Sequence, residues 1–172
     1  AMTIDTLFRN ARLADGSLAT IAVTDGNIVS IEPETTANAA TAASTVDLGG
    51  QLVVPGFVEG HIHLDTSFYG YAWRPYVPYA AGFDVRERVA IQHRNMAAAA
   101  PMAERARSQI ELCIANGTTR MRSHVMVDAS VGLTSLQTVA AVREEYRDLI
   151  DIQLVAFPQS GLLTCPGTAE LL

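Results

Sequence analysis

From residue 3 to about residue 55, apolar residues fall in short runs broken by turn formers. Residues 7–13, 20–24 and 27–31 are such runs and predict strands, with Asp25-Gly26 as a two-residue hairpin signal between the last two. Residues 45–48 and 51–54 flank Gly49-Gly50, a second hairpin candidate, whereas residues 35–44 are small and polar and read as a surface loop. After Pro55-Gly56 the period changes. Residues 57–63 form a mixed strand pattern, and an irregular stretch then runs to about Asp84. Residues 84–95 and 101–116 predict helices; in the second, Met102, Ala106, Ile110 and Cys113 repeat along one face, with Pro101 at the start and Gly117 past the end. A strand over 118–125 and a helix over 133–149 follow, the latter with Leu136, Val139, Ala140, Arg143 and Tyr146 on one side. Asp151–Phe157 is an almost continuous apolar strand of the kind buried on both faces, and the last residues read as the first turn of another helix.

Strand, helix, strand, helix, strand, helix is the rhythm of a parallel sheet with right-handed crossovers. Three such units are too few for a closed (β/α)8 barrel of about 250 residues. The expected fold class is therefore α/β, an N-terminal fragment in which residues 1–54 form a small β layer and residues 55–172 three βα units of an incomplete parallel sheet. The remaining strands are expected beyond Leu172 or on a second chain.

Composition narrows the function classes. The 172 residues are 49% hydrophobic and 17% charged, which excludes a disordered polar chain. Twelve basic against eighteen acidic side chains argue against nucleic-acid binding. No apolar run approaches the roughly 18–20 residues of a bilayer span, and the N-terminal residues lack the order of a signal peptide, so a cytoplasmic protein without a membrane partner is expected. Cys113 and Cys165 stand 52 positions apart with no paired spacing and read as reduced thiols. A Gly-rich phosphate loop, a GxSxG elbow and the H-x-E with P-C-x-x-C signature of one class of zinc enzyme are all absent.

The strongest chemical signal is His61-Ile62-His63. On a strand, side chains two apart share a face, so both imidazoles aim into one space and suit one divalent metal ion such as zinc. Glu59 and Asp65 share that parity and are candidates to orient a ligand histidine if the strand runs so far. Gln159 follows the third strand at its C-terminal end, where barrel enzymes place their sites; its carboxamide matches the N–H and C=O edge of a pyrimidine-like ring, although a loop glutamine can equally bond to backbone. His124, near the end of the second strand, is either a substrate contact or a satisfied structural histidine. Seven of the eleven aromatic residues lie between Phe68 and Phe83, interrupted by Gly and Pro. These rings, Trp73 among them, suit either the wall of a substrate pocket or a contact with another subunit. Arg74 reads as a solvated loop cation, and His93, on a charged helix, as solvent-facing.

The segment VPGFVEGHIHLD over residues 54–65 resembles the first barrel strand of the amidohydrolase superfamily. IANGTT over 114–119, RSHV over 122–125 and LVAFPQ over 154–159 follow in the order and spacing of cytosine-deaminase-like enzymes. The resemblance implies a TIM-like (β/α)8 barrel, with residues 55–172 as its first three βα units, and residues 1–54 as part of a small β-sandwich built from both chain ends. It also implies one divalent metal ion, zinc or iron, held in part by His61 and His63, that activates water towards an amidine-like ring carbon. Substrate contact by Gln159 is implied, together with a small-molecule nitrogen heterocycle as ligand and a homo-oligomeric assembly. A further histidine ligand, a glutamate proton shuttle, a second histidine and an aspartate belong to strands 5, 6 and 8 of such barrels, so the catalytic acid and base are expected beyond Leu172. Met126 stands where relatives often carry aspartate. Cyclic-amide hydrolysis of the hydantoinase or dihydroorotase kind, release of an alkylamine from a triazine, and a non-catalytic assembly role are the alternatives. The Phe-Pro-Gln after the third strand favours deamination over cyclic-amide hydrolysis.

Overall fold

The computed structural model describes residues 4–35 and 41–172. The chain divides into two compact units, Ala1–Pro55 and Gly56–Leu172.

The first unit is one mixed sheet of β1 (Ile4–Arg12), β2 (Leu18–Thr24), β3 (Asn27–Pro33) and β4 (Ala42–Asp47), in the order β3-β2-β1-β4. The Asp25-Gly26 hairpin forms as expected. Thr24 pairs with Asn27, and both turn residues sit in the left-handed region, at φ 48° and 72°, which matches the twist of the flanking strands. The Gly49-Gly50 hairpin does not form. β4 runs parallel to β1, from Ile4 opposite Ala42 to Arg9 opposite Asp47, and residues 51–54 supply only one bridge, Leu52 to Arg12. The reason lies in the open edge of β1: Gly50 donates to the Asn10 carbonyl and Val53 to that of Arg12, so the chain keeps climbing the same edge instead of folding back. The stretch expected as a loop already contains the start of β4 at Ala42, and residues 36–40 lie outside the described residues.

The second unit carries β5 (Phe57–Ile62), α1 (Val85–Ala97), α2 (Met102–Ala115), β6 (Thr118–Met126), α3 (Thr134–Glu145) and β7 (Asp151–Phe157), closing on a 3-10 turn over Ala169–Leu171. The strands form a parallel sheet ordered β5-β6-β7. Asp84 caps α1 by accepting from the Arg86 N–H. One face of the sheet packs on the helices: Met121 and Val125 of β6 and Ile152 of β7 are buried with Ala106 and Ile110 of α2 and Val139 and Val142 of α3. Met102 and Cys113 pack against the same cluster, so the expected α2 face holds. Gly56, just before β5, is fixed by close approach. A Cβ there would stand 2.3 Å from Cγ2 and 2.9 Å from Cβ of Thr119.

Two details depart from expectation. α3 stops at Glu145 because Leu149 and Ile150 both donate back to the Tyr146 carbonyl, a turn that delivers Ile150 and Ile152 into the core. Its buried stripe is Ser135, Val139 and Val142, rotated away from the expected Ala140 and Arg143. β7 is buried on one face only, with Ile152 shielded while Asp151 and Gln153 are exposed, since helices cover the sheet from one side among the described residues.

Candidate active site

Three of the four imidazoles gather on the sheet, away from the helix-packed face. Along β6 the odd positions Met121, Ser123 and Val125 are buried, so Arg120, Arg122 and His124 point the other way. His61 lies on β5 and His63 one residue past its end, yet their Nε2 atoms are only 3.3 Å apart. Two nitrogens on one tetrahedral ion with bonds of about 2.05 Å stand about 3.3 Å apart, so the pair fits as two ligands of one zinc-like ion. Among the described residues no group of three or more His, Cys, Asp or Glu side chains is arranged to hold a metal ion.

His124 joins the two. Its ring stacks on His61 at 4.1 Å and 22°, and its centroid is 5.7 Å from that of His63. Its Nδ1 is buried without a hydrogen-bond partner. Burial first, and then the charges of His61, His63 and Arg122, hold its imidazolium below the usual range. Phe157, at the end of β7, stands edge-on to His63 at 5.4 Å and to His124 at 6.4 Å.

Neither nearby carboxylate orients a ring. Glu59 accepts from the backbone N–H of His61 at 2.9 Å. Asp65 loses the expected parity because the strand ends at Ile62. It is fully buried and accepts from the Met126 N–H at 2.9 Å, while Leu64 donates to the Ser123 hydroxyl at 3.2 Å. These two bonds continue the β5–β6 alignment where the ladder stops and fix the backbone just past His63. Asp65 Oδ1 has no partner, and burial pushes its carboxyl up.

Gln159 sits in the turn after β7, two residues past Phe157. Its Nε2 donates to Oε1 of Gln92 on α1 at 2.7 Å, so it bonds to a side chain and not to backbone. The backbone beside it is held by Asp128, which follows β6. Oδ2 of Asp128 accepts from Ser160 N–H at 2.9 Å and Oδ1 from the Ser130 N–H and hydroxyl. Burial works to raise the Asp128 carboxyl, but these hydrogen bonds outweigh it and leave it below its ordinary value. The buried Thr168 hydroxyl accepts from Ala129 N–H and ties the same two loops a second time.

Trp73 is 83% exposed. It lines an open cleft of about 610 Å³ with Phe68, Tyr71, Arg74 and Gln109, and none of the three histidines borders that cleft. Arg74 is anchored rather than solvated: it donates to the Ala98 carbonyl at 2.9 Å and lies over Phe68. His93 is half-buried, with Nε2 shielded and unpartnered, contrary to its solvent-facing expectation. Sequence reasoning passed over Gln92, Asp128 and Arg105. The last is a buried guanidinium on α2 that donates to the carbonyls of Ala100 and Ser67, pinning the loop after β5. Only Asp128 left a local trace, the Asp-Ala-Ser pattern of an Asx turn.

No helix among the described residues is long and apolar enough to cross a membrane. The sequence profile of the Amidohydrolase family matches residues 44–171. The N-isopropylammelide isopropyl amidohydrolase of Pseudomonas sp. (strain ADP) is 33% identical over 165 residues, covering 91% of this chain and 39% of that protein. The crystal structure of N-isopropylammelide isopropylaminohydrolase from Burkholderia multivorans superposes with a TM-score of 0.81 at 34% identity, over 99% of this chain and 42% of that one. That of 5-methylcytosine deaminase from Klebsiella pneumoniae, liganded with 5-fluorocytosine, gives 0.74 at 32% identity, over 96% and 39%. The chain thus spans about two fifths of the length of these relatives. The matched region takes in both histidines of the HxH pair, His124 and Gln159, and by that match this chain belongs to the Amidohydrolase family.

Proposed function

We propose that the complete protein is a metal-dependent hydrolase that removes an exocyclic amine from a six-membered nitrogen heterocycle. The observation that carries this reading is the 3.3 Å approach of His61 and His63 Nε2 beside the stacked His124. Relatives named for N-isopropylammelide and 5-methylcytosine support the heterocyclic substrate class. In this reading residues 56–172 are the first three βα units of a (β/α)8 barrel whose remaining strands lie beyond Leu172 or on a second chain, in a homo-oligomeric assembly.

His61 and His63 would hold one zinc or iron ion, which when bound supplies Lewis acidity to a water molecule. Water adds at the ring carbon, the exocyclic C–N bond breaks, and ammonia or an alkylamine leaves with the proton it gains. Asp65 and Ser123 keep His63 in place by fixing the backbone just past it. Gln159 grips the ring edge, and Asp128 holds the turn that carries it. His124, stacked on His61, presents a third imidazole on the same face. The test is to incubate the complete, zinc- or iron-loaded protein with N-isopropylammelide and with 5-methylcytosine and to measure isopropylamine and ammonia. Release of one amine is the expected result, and release of neither from metal-replete protein would refute the reading.

A further inference from the structure

Gln159 has a fixed backbone and one remaining ambiguity. Its own N–H donates to the Phe157 carbonyl at 2.9 Å, and the next residue is clamped by Asp128. What stays free is the direction of the carboxamide, whose oxygen and nitrogen are nearly the same shape but opposite in hydrogen bonding. Gln92, 67 residues earlier on α1, couples to that direction. Its Oε1 accepts from Gln159 Nε2 at 2.7 Å in a partly buried setting. Turning Gln159 over alone would set two carbonyl oxygens against each other, so the two amides can only turn together. In the arrangement present, Gln159 keeps Oε1 as a free acceptor together with one N–H. That pair complements a lactam edge, a ring N–H beside a carbonyl.

We infer that Gln92 is a positioning residue that sets the polarity of Gln159 and thereby the heterocycle edge the site accepts. This rests on the reading of Gln159 as a substrate contact. The helix that bears Gln92 is otherwise anchored by the Asp84 cap and buried Ile91, and thermal melting of each variant checks that the unit stays folded.

The experiment is steady-state kinetics of the complete, metal-loaded enzyme with N-isopropylammelide and 5-methylcytosine for Gln92→Met, Gln92→Glu, Gln159→Ala and Gln92→Met/Gln159→Ala. Gln92→Met removes the acceptor and should raise KM by about 2- to 10-fold with kcat and metal content unchanged. Gln92→Glu offers only acceptors, preserves the observed polarity, and should restore KM to within about 2-fold of the parent. In the Gln159→Ala background Gln92→Met should have no further effect. An unchanged KM in Gln92→Met, failure of Gln92→Glu to rescue, or an equal loss in the Gln159→Ala background would overturn the inference while leaving Gln159 as a contact. Unchanged kinetics in Gln159→Ala would instead remove the contact itself, and the inference with it.

Discussion

The two units solve the same problem with a carboxylate and finish it differently. Glu34 follows the last residue of β3, Asp65 lies just beyond β5, and each accepts a backbone N–H from another strand, Asn10 and Met126 respectively. Glu34 is saturated: Arg9 occupies Oε1, while Asn10 and the Thr20 hydroxyl share Oε2. Those hydrogen bonds, Thr20 first, then Asn10 and Arg9, hold its carboxyl down to about 2. Asp65 uses one oxygen and leaves the other buried and bare, and burial raises it. A native fold rarely leaves a buried polar atom unpaired, since each costs about 1–3 kcal/mol, and such atoms gather where a site has work besides stability. The contrast separates a closed structural anchor in the first sheet from an open one at the histidine cluster in the second.

The sharpest test is on the histidines. His61→Ala or His63→Ala in the complete protein should remove most bound metal and lower activity by more than about 100-fold, beyond the usual effect of losing an outer partner of a ligand. Full metal occupancy in either variant, by elemental analysis, would dissolve the distinction between the two units. Next comes Asp65. Asp65→Ala orphans the buried Met126 N–H and should destabilise the chain by about 1–3 kcal/mol in urea unfolding, whereas Asp65→Asn retains an acceptor and should lose less. Equal losses would mean that the charge, not the single hydrogen bond, matters there. Gly56→Ala probes the same unit through packing, and the contact with Thr119 predicts a loss of about 1–3 kcal/mol in the same assay.

Smaller effects are expected in the first sheet. Because the Glu34 carboxyl falls from 4.5 to about 2 on folding, its contribution is complete above pH 4.5 and drains away as pH drops towards 2. Glu34→Gln should flatten that acid limb of the stability profile, and an unaltered limb would mean that Glu34 is not the group responsible. Arg9 is a third exposed, so Arg9→Met should cost only about 0.2–1 kcal/mol by thermal melting. A larger loss would show the anchor to depend on the ion pair more than on Thr20 and Asn10.

Local signals carried much of this protein. The Asp25-Gly26 hairpin, the apolar face of α2 between Pro101 and Gly117, and the alternating HxH pair were readable because each depends on residues close together along the chain. The sequence alone determined that two imidazoles share a face and that a carboxamide follows the third strand. Tertiary structure decided the rest, because it turned on partners far apart along the chain. β4 chose the open edge of β1 over a local hairpin, and α3 rotated to bury Val142. His124 came onto His61 only when β6 lay beside β5. Asp65 and Gln159 found Met126 and Gln92 across 61 and 67 residues. A hydrogen bond is blind to sequence separation, so no periodicity announces such a partner; only the packed chain brings donor and acceptor within 3 Å.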